Sequence, residues 1–585
     1  MLTTPQHATA SIFSRREWWG IGISVLLTIG LGSVGYADYY ASLDQRVSLS
    51  DVLYQSLGLF TFSFYAPSGH IPWQLDVARW SAPLLISYTA FKTIMLMLRS
   101  RLLLRRVRGL QNHAVVCGLG EHGRSVAQVL VTKGIPTVVI EPDPFNAHLG
   151  WATNHGISVL TGNPRDMSNL IQANIMQAKY LLAFTENDAV NTEIIAQIYQ
   201  LKLTNHSTPL LKSIAHVQSH ELAAVLYDDA IFSKDYANFS ARALNMRQMA
   251  ARWLLTHHGP DSELIADFAA IDEIRILLLG SNEFVENLIL RLAKLGHYGT
   301  ACPINITLAG PQAVSQLEAF NNHWPVLSKI IRIKAQDIEL SFLNTQTTQQ
   351  LINRFKPNMI YVCATDTEST LIWSKALERL KMDCPVIVCQ FSDNVLAQRI
   401  ETSFASLTQF KFVYPASAIL NFDNIFNATQ DQLAIAIHKH YVASQIAAGD
   451  TIASNASLVD WDDLPETLKD ANRNQADHLQ IKCRVITGLQ HCTAEHIEQT
   501  INDKKMLERL ARMEHERWVA EKLLDGWQYT QGPKDIEARK SPSLLAWEQL
   551  PESERQKDLD SVHNIPQLLR QIELEANTHG HRTGK

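Results

Sequence analysis

HAVVCGLGEHGRSVAQVLVTKGIPTVVIEPDP, residues 113–144, decides the fold. A short apolar strand, Ala114–Cys117, runs into Gly118-Leu119-Gly120-Glu121-His122-Gly123, and a helical pattern follows from Arg124 to Lys133. A second strand, Thr137–Ile140, ends in Glu141, 23 residues after Gly118. A lone GxGxxG is weak, but between a strand and a helix, with an acid at this distance, it reads as a dinucleotide fingerprint. Gly118 and Gly120 allow the tight turn and the approach of a phosphate, and Gly123 lets helix and strand pack closely. The helix N-terminus faces the anion, and Glu141 accepts from ribose hydroxyls.

Downstream the alternation continues with strand Ser158–Leu160, the turn Gly162-Asn163, strand Tyr180–Phe184, Thr185-Glu-Asn-Asp188 and an amphipathic helix, AVNTEIIAQIYQL. Over residues 112–245 the chain resembles the regulator-of-potassium-conductance family (RCK, also KTN or TrkA-N). The resemblance rests on the GxGxxG, Glu141, Gly162-Asn163 and the stretch from Thr185 to Asn191. It implies a Rossmann-like domain beneath a channel or transporter, with NAD(H) or an adenine nucleotide (ATP, ADP or ADP-ribose) as cofactor. The residues it assigns to that ligand are Gly118, Leu119, Gly120, Glu121, His122, Gly123, Arg124, Glu141, Asn163 and Thr185. Asn163 stands where the family usually has aspartate. No substrate domain with a histidine or tyrosine general acid follows, so no enzyme, catalytic residue or metal site is expected.

Residues 273–415 repeat the strand–helix pattern, starting from EIRILLLG (273–280). The first turn reads Gly280-Ser-Asn-Glu-Phe-Val, without the second and third glycines, so a degenerate second Rossmann-like domain with no dinucleotide is expected. Its place in the resemblance is that of a gating-ring or dimer partner. Asp366 in YVCATDTEST reads as a helix N-cap or as lining a ligand crevice.

The apolar residues concentrate before all this. Trp18 to Ala37 is 20 residues without a charge, long enough as a helix for a hydrocarbon core of about 30 Å. Residues 80–98 offer a second span, interrupted by Lys92 and Pro83, and 52–66 is too short to cross and suits a re-entrant helix. Lys92 reads equally as a pore-facing charge or as one snorkelling to the boundary. Arg15 and Arg16 precede the first span, and Arg99, Arg101, Arg105, Arg106 and Arg108 follow the second, whereas the loop between is acid-rich. The positive-inside rule then puts both termini in the cytoplasm and requires an even number of crossings of the cell (inner) membrane. Span, re-entrant helix and span outline a two-helix pore subunit, which needs symmetric assembly, with a tetramer expected. A potassium filter of the TVGYG type is not present; the corresponding stretch reads TFSFYAPSG.

A net charge of −6 argues against a nucleic-acid coat. Seven scattered cysteines without a CxxC pair exclude a disulfide scaffold or zinc ribbon. Hydrophobic residues make up 46% and charged ones 19%, enough to bury several cores.

From about Val459 the chain turns Trp-rich, charged and helical. WDDLPE (461–466) and WEQLPE (547–552) lie 86 residues apart and suggest an internal duplication. Between them runs MLERLARMEHERWVAEKLLDGWQYT, a helix with one buried face. Residues 458–572 resemble the ryanodine-receptor (RyR) repeat domain. The matching residues are His515-Glu516-x-Trp518, Lys522, Gly526-Trp527-x-Tyr529, Asp535, Lys540-x-Pro542 and the WEQLPE run; Thr530 and Ser541 depart from it. His515, Arg517, Trp518, Lys522, Trp527, Tyr529 and Lys540 are candidates for ring stacking and phosphate contact, and the same aromatics equally suit a small helical core. The tail, 573–585, reads as disordered.

The expected architecture is therefore a cytoplasmic arm (1–17), a membrane α-helical domain (18–110), tandem Rossmann-like RCK domains and a mostly α-helical RyR-like domain. The expected function is a nucleotide-gated channel or transport protein for monovalent cations, in contact with the lipid bilayer and a nucleotide but not with nucleic acid. The alternative is a non-conducting, membrane-anchored nucleotide-sensing regulator or a defence or stress effector subunit.

Overall fold

The computed structural model describes residues 15–570 other than 65–69, 206, 265–270, 272, 300–303, 339–344, 365, 392–394, 427–430, 453–454, 456 and 491–492. The arm before residue 15, the end of the 52–66 segment and the tail 573–585 lie outside the described residues. The described residues form two compact units, one within Met1–Leu119 and Pro136–Lys179, the other within Gly120–Ile135 and Tyr180–Lys585.

In the first unit α1 (Arg15–Ser42), α2 (Leu49–Gly58) and α3 (Trp73–Arg108) pack together. Close approach depends on glycine: a Cβ on Gly35 would sit 2.5 Å from Leu75 N, so α1 and α3 can meet at this distance only without a side chain. Tyr36, Tyr39, Leu59, Leu75, Ala78 and Ala82 are buried at this seam. Leu26, Leu27, Trp80, Leu84, Phe91 and Ile94 face outward, more than half exposed. The re-entrant candidate is α2, capped by the Ser48 hydroxyl accepting from Asp51 N–H, followed by a 3-10 turn at Leu59–Thr61.

Among the described residues one helix, Trp19–Ser42 (24 residues), is long and apolar enough to cross a membrane. The second expected span, 80–98, does not pass the same test of length and composition. The 36-residue α3 runs through it, but Ser81, Pro83, Ser87, Tyr88, Thr89, Lys92 and Thr93 dilute its apolar run. Lys92 Nζ pairs with Glu17 Oε1 at 2.5 Å, joining α3 to the first turn of α1.

The same unit carries β1 (Ala114–Cys117), β2 (Thr137–Glu141) and β3 (Ser158–Thr161), parallel and in the order β3-β2-β1. The end of α3 is tied into this half-sheet. Asn174, in the left-handed region at φ 55, donates from Nδ2 to the carbonyls of Arg108 and Leu110 at 3.2 and 2.9 Å.

In the second unit α4 (Glu121–Thr132) is followed by β4 (Tyr180–Ala183), α5 (Asp188–Leu203), β5 (Leu211–His216), β6 (Phe239–Leu244) and α6 (Met246–His258). A full sheet follows: β7 (Arg275–Leu279), β8 (Asn305–Gly310), β9 (Arg332–Asp337), β10 (Met359–Val362), β11 (Val386–Cys389) and β12 (Phe410–Val413). Its order, β12-β11-β10-β7-β8-β9, is the doubly wound one counted from β7. β3-β2-β1 and β4-β5-β6 follow the same two half-orders, so the chain holds two parallel α/β Rossmann-like sheets.

The C-terminal region is helical: α7 (Glu283–Leu295) of the second sheet layer meets α8 (Gln432–Ala447), α9 (Glu466–Thr487), α10 (Lys504–Leu524) and α11 (Glu552–His563). Charge holds α9 in place. Asp477 accepts from Arg252 Nε and NH2 at 2.8 and 3.0 Å and also pairs with Arg291, while Arg484 donates to Asp261 at 2.7 Å.

Candidate functional site

On the first unit the glycine turn is shaped by its own acid. Gly118 sits at φ 93, where an L side chain is strained, and Leu119 N–H donates to Glu141 Oε2 at 2.7 Å. Glu141 Oε1 accepts the Asp143 N–H at 3.0 Å, and the residue is 6% exposed. A carboxylate offers about four acceptor positions, and these two bonds use two of them. Asn163 is exposed; its Oδ1 accepts Arg165 N–H at 3.0 Å and its carbonyl accepts Asn169 Nδ2 at 2.9 Å. It therefore stabilises the Gly162 turn, where a Cβ would lie 2.5 Å from Asn169 Nδ2.

On the second unit α4 starts from Gly120, with no side chain capping it. Its first intrahelical bond is Arg124 N–H to Gly120 O at 2.9 Å. The N–H groups of Glu121, His122 and Gly123 thus precede the helical ladder, at its positive end. A Cβ on Gly120 would meet nothing within 4 Å. The open space and the uncapped N–H groups fit a pyrophosphate. Glu121, His122 and Arg124 lie on the exposed side of this turn, and Gly123 is buried.

Thr185 closes the β4–α5 loop. Its N–H and Oγ1 donate to Asn191 Oδ1 at 2.9 and 2.8 Å, and Asn191 Nδ2 returns bonds to the carbonyls of Thr185 and His216. Asp188 Oδ2 accepts the N–H groups of Gln218 and Ser219, both at 2.9 Å. The His216 ring stacks on Phe184 at 5.3 Å and meets His122 at 5.1 Å. Burial, with His122 and Arg247 nearby, pulls the His216 imidazole down to about 4. His216 and Asn174 were not singled out by the sequence, and Asn191 entered only as the end of the Thr185–Asn191 stretch.

At the second sheet the corresponding helix end is occupied by its own chain. Asn282 Oδ1 accepts the N–H groups of Phe284 and Val285 at 3.0 and 3.2 Å, and its Nδ2 donates to Cys363 O at 2.6 Å. Asp366 caps its helix through Ser369 N–H at 2.7 Å.

In the RyR-like region two of the seven candidates turn inward, which corrects their ligand role. His515, 2% exposed, bonds Leu545 O and Asp558 Oδ2 at 2.8 and 3.1 Å. Burial lowers its basicity, but the Asp558 and Leu545 bonds outweigh this and hold it above the usual histidine value. Arg517 NH2 and NH1 reach Glu514 and Glu521 at 2.8 and 2.6 Å in a buried cluster with Lys482. Trp518 is half-buried on the His515 ring. Lys522 and Lys534 lie over Trp527 at 5.5 and 5.8 Å. Tyr529 and Lys540 are exposed on the two-residue ladder of β13 (Gln528–Tyr529) and β14 (Lys540–Ser541).

Comparison with known proteins adds two domains. Residues 114–234 match the TrkA-N domain and residues 493–577 the RyR domain. Over 96 residues the chain is 28% identical to potassium channel protein 1 of Methanocaldococcus jannaschii, which is 16% of this chain and 29% of that protein. GsuK bound to ADP is similar over 71% of this chain and 97% of that one, at 14% identity and a TM-score of 0.39. The GsuK channel bound to NAD is similar over 71% and 84%, at 12% identity and a TM-score of 0.39. This chain thus carries a TrkA-N (RCK-type) domain behind an apolar N-terminal helix and an RyR domain near its C-terminus.

Proposed function

We propose that the chain is a subunit of a nucleotide-gated membrane protein for monovalent cations, potassium foremost. NAD(H) or an adenine nucleotide would bind the TrkA-N domain. The observations that carry this reading are the uncapped N–H groups that follow Gly120 on one unit and, on the other, Leu119 N–H held by Glu141. Gly118–Gly123 would hold the pyrophosphate by backbone N–H groups, and Glu141 the ribose. Asn174, in the connection that follows β3, holds the carbonyls of Arg108 and Leu110, so a shift there would reach the helix that packs on α1. A nucleotide that binds one conformation 100-fold better biases the gate by about 2.7 kcal/mol. Two crossings, cytoplasmic termini and a tetramer complete the proposal, and the potassium channel name of the archaeal relative supports it.

A second reading is a non-conducting regulator, favoured by TFSFYAPSG in place of a carbonyl filter. Flux of potassium and sodium through purified protein in liposomes separates the two, with NAD, NADH, ATP, ADP and ADP-ribose added in turn. Flux that responds to one nucleotide, and loses the response in Gly120→Asp, supports the gated pore. Nucleotide binding without flux supports the regulator.

A further inference from the structure

Two turns 86 residues apart are built alike. Trp461–Asp463 and Trp547–Gln549 are each 3-10 turns, each followed by a buried leucine (Leu464, Leu550) and a proline that starts a helix. Leu464 N–H bonds Trp461 O at 3.2 Å, and Leu550 N–H bonds Trp547 O at 3.3 Å. Lys469 Nζ donates to Asp462 O at 3.2 Å, and Arg555 NH2 donates to Glu548 O at 2.9 Å. A histidine from the preceding helix closes each turn. His438 Nε2 donates to Val459 O and His515 Nε2 to Leu545 O, both at 2.8 Å, and their rings lie 6.1 and 5.8 Å from Trp461 and Trp547.

The six-residue motif accounts for the turn, but not for a histidine placed on the same carbonyl from an earlier helix. The histidine precedes the tryptophan by 23 residues in one case and 32 in the other, so the match is of three-dimensional arrangement and not of loop length.

We propose that residues 432–487 form a second RyR-type unit, outside the matched 493–577, so that the C-terminal region is a two-unit module. This rests on the RyR match and not on the proposed nucleotide gating. The two units are used differently. In the first, α9 presents Asp470 to Lys294, Asp477 to Arg252 and Arg291, and Arg484 to Asp261, so it grips helices of the Rossmann-like layers. In the second, the longer connection builds the β13/β14 ladder and leaves Tyr529 and Lys540 exposed. The second unit also touches those layers, where Arg509 donates to Tyr298 O at 3.3 Å, but the ion pairs named here belong to the first.

The test is an exchange in the full-length chain, placing LAWEQLPE (545–552) at 459–466 and VDWDDLPE (459–466) at 545–552. A control carries the residues of 459–466 in scrambled order. Equivalent units keep the thermal midpoint within about 3 °C of the parent, and keep slow hydrogen exchange at the Leu468 and Glu554 amides, which bond Pro465 O and Pro551 O. The scramble lowers the midpoint by more and frees the Leu468 amide. An exchange as damaging as the scramble, or a scramble as harmless as the exchange, overturns the proposal.

Discussion

Leu119 N–H and Glu141 Oε2, 2.7 Å apart, join the glycine turn to the acid that stands where a ribose would be held. Glu141→Gln keeps the shape but turns one acceptor into an NH2 that faces the N–H of Leu119 or Asp143. A buried donor left facing a donor costs about 1–3 kcal/mol, so the thermal midpoint falls. NADH affinity in a calorimetric titration falls with it. The carboxylate also repels a 2′-phosphate, so NADPH binds the parent more weakly than NADH, and the gap narrows in the variant. Equal affinities for both nucleotides in the parent would remove Glu141 from the ribose.

The two glycines beside it separate folding from binding. At Gly120 the backbone is ordinary (φ −68) and a Cβ meets open space. Gly120→Ala therefore leaves stability within about 0.5 kcal/mol, while its methyl group takes space that the proposed phosphate would fill and should weaken binding. At Gly118 the φ of 93 is itself the demand, and Gly118→Ala destabilises the fold by about 1–2 kcal/mol. Melting curves and nucleotide titrations on the pair should show opposite patterns. Loss of stability in Gly120→Ala would mean the space is needed for packing.

The glycine turn was legible because its conformational demand is written in residue types: Gly118 at positive φ, an apolar strand before it and an acid after it. Strands with polar residues were harder. Leu211–His216 (LKSIAH), paired on both sides, and the edge strand Arg332–Asp337 (RIKAQD) lack the continuous apolar run of β1 or β10. His515 and Arg517 misled for another reason. On α10 residues of both faces are buried, among them Met513, Glu514, His515, Arg517 and Glu521, because acids set three or four residues apart neutralise the guanidinium and Asp558 meets the histidine from another helix. Charge in a sequence suggests exposure, and only the fold reveals a partner 43 residues away.

Asp477 gathers two arginines from two helices that pack together, Arg252 on α6 and Arg291 on α7. Its side chain is 11% exposed, and those of Arg252 and Arg291 are 14% and 7% exposed. Asp477→Ala leaves Arg291 without its carboxylate and Arg252 with Asp431 alone. Removing one partner from a buried pair typically costs about 3–5 kcal/mol, and hydrogen exchange along α9 should rise first. Lys557→Ala removes a surface partner of Glu554, the lysine side chain being 70% exposed. That change should stay within about 0.5 kcal/mol. Similar midpoints for both variants would show that α9 is held by packing and not by charge.

Acid should loosen the fold through its buried imidazoles. Burial pulls His478 and His216 down to about 4 from a usual 6.5, and lowers His113 as well. Between about pH 6.5 and 4 the unfolded chain takes up protons that these folded histidines refuse, so stability falls as pH falls. The slope is at most about 1.4 kcal/mol per pH unit for each histidine. His515 opposes this, because its raised value adds stability at low pH that is lost as pH rises through the folded value. Burial also lowers His122 and takes His297 down to about 3, so five lowered imidazoles against one raised, among the described residues, predict a midpoint that drops from pH 7 to pH 5. His478 Nε2 donates to His297 O at 3.1 Å, so His478→Asn removes a titrating group while keeping an N–H donor nearby. The variant should melt lower than the parent at pH 7, yet lose less on going to pH 5. An equally steep fall in parent and variant would place the acid sensitivity on groups other than His478.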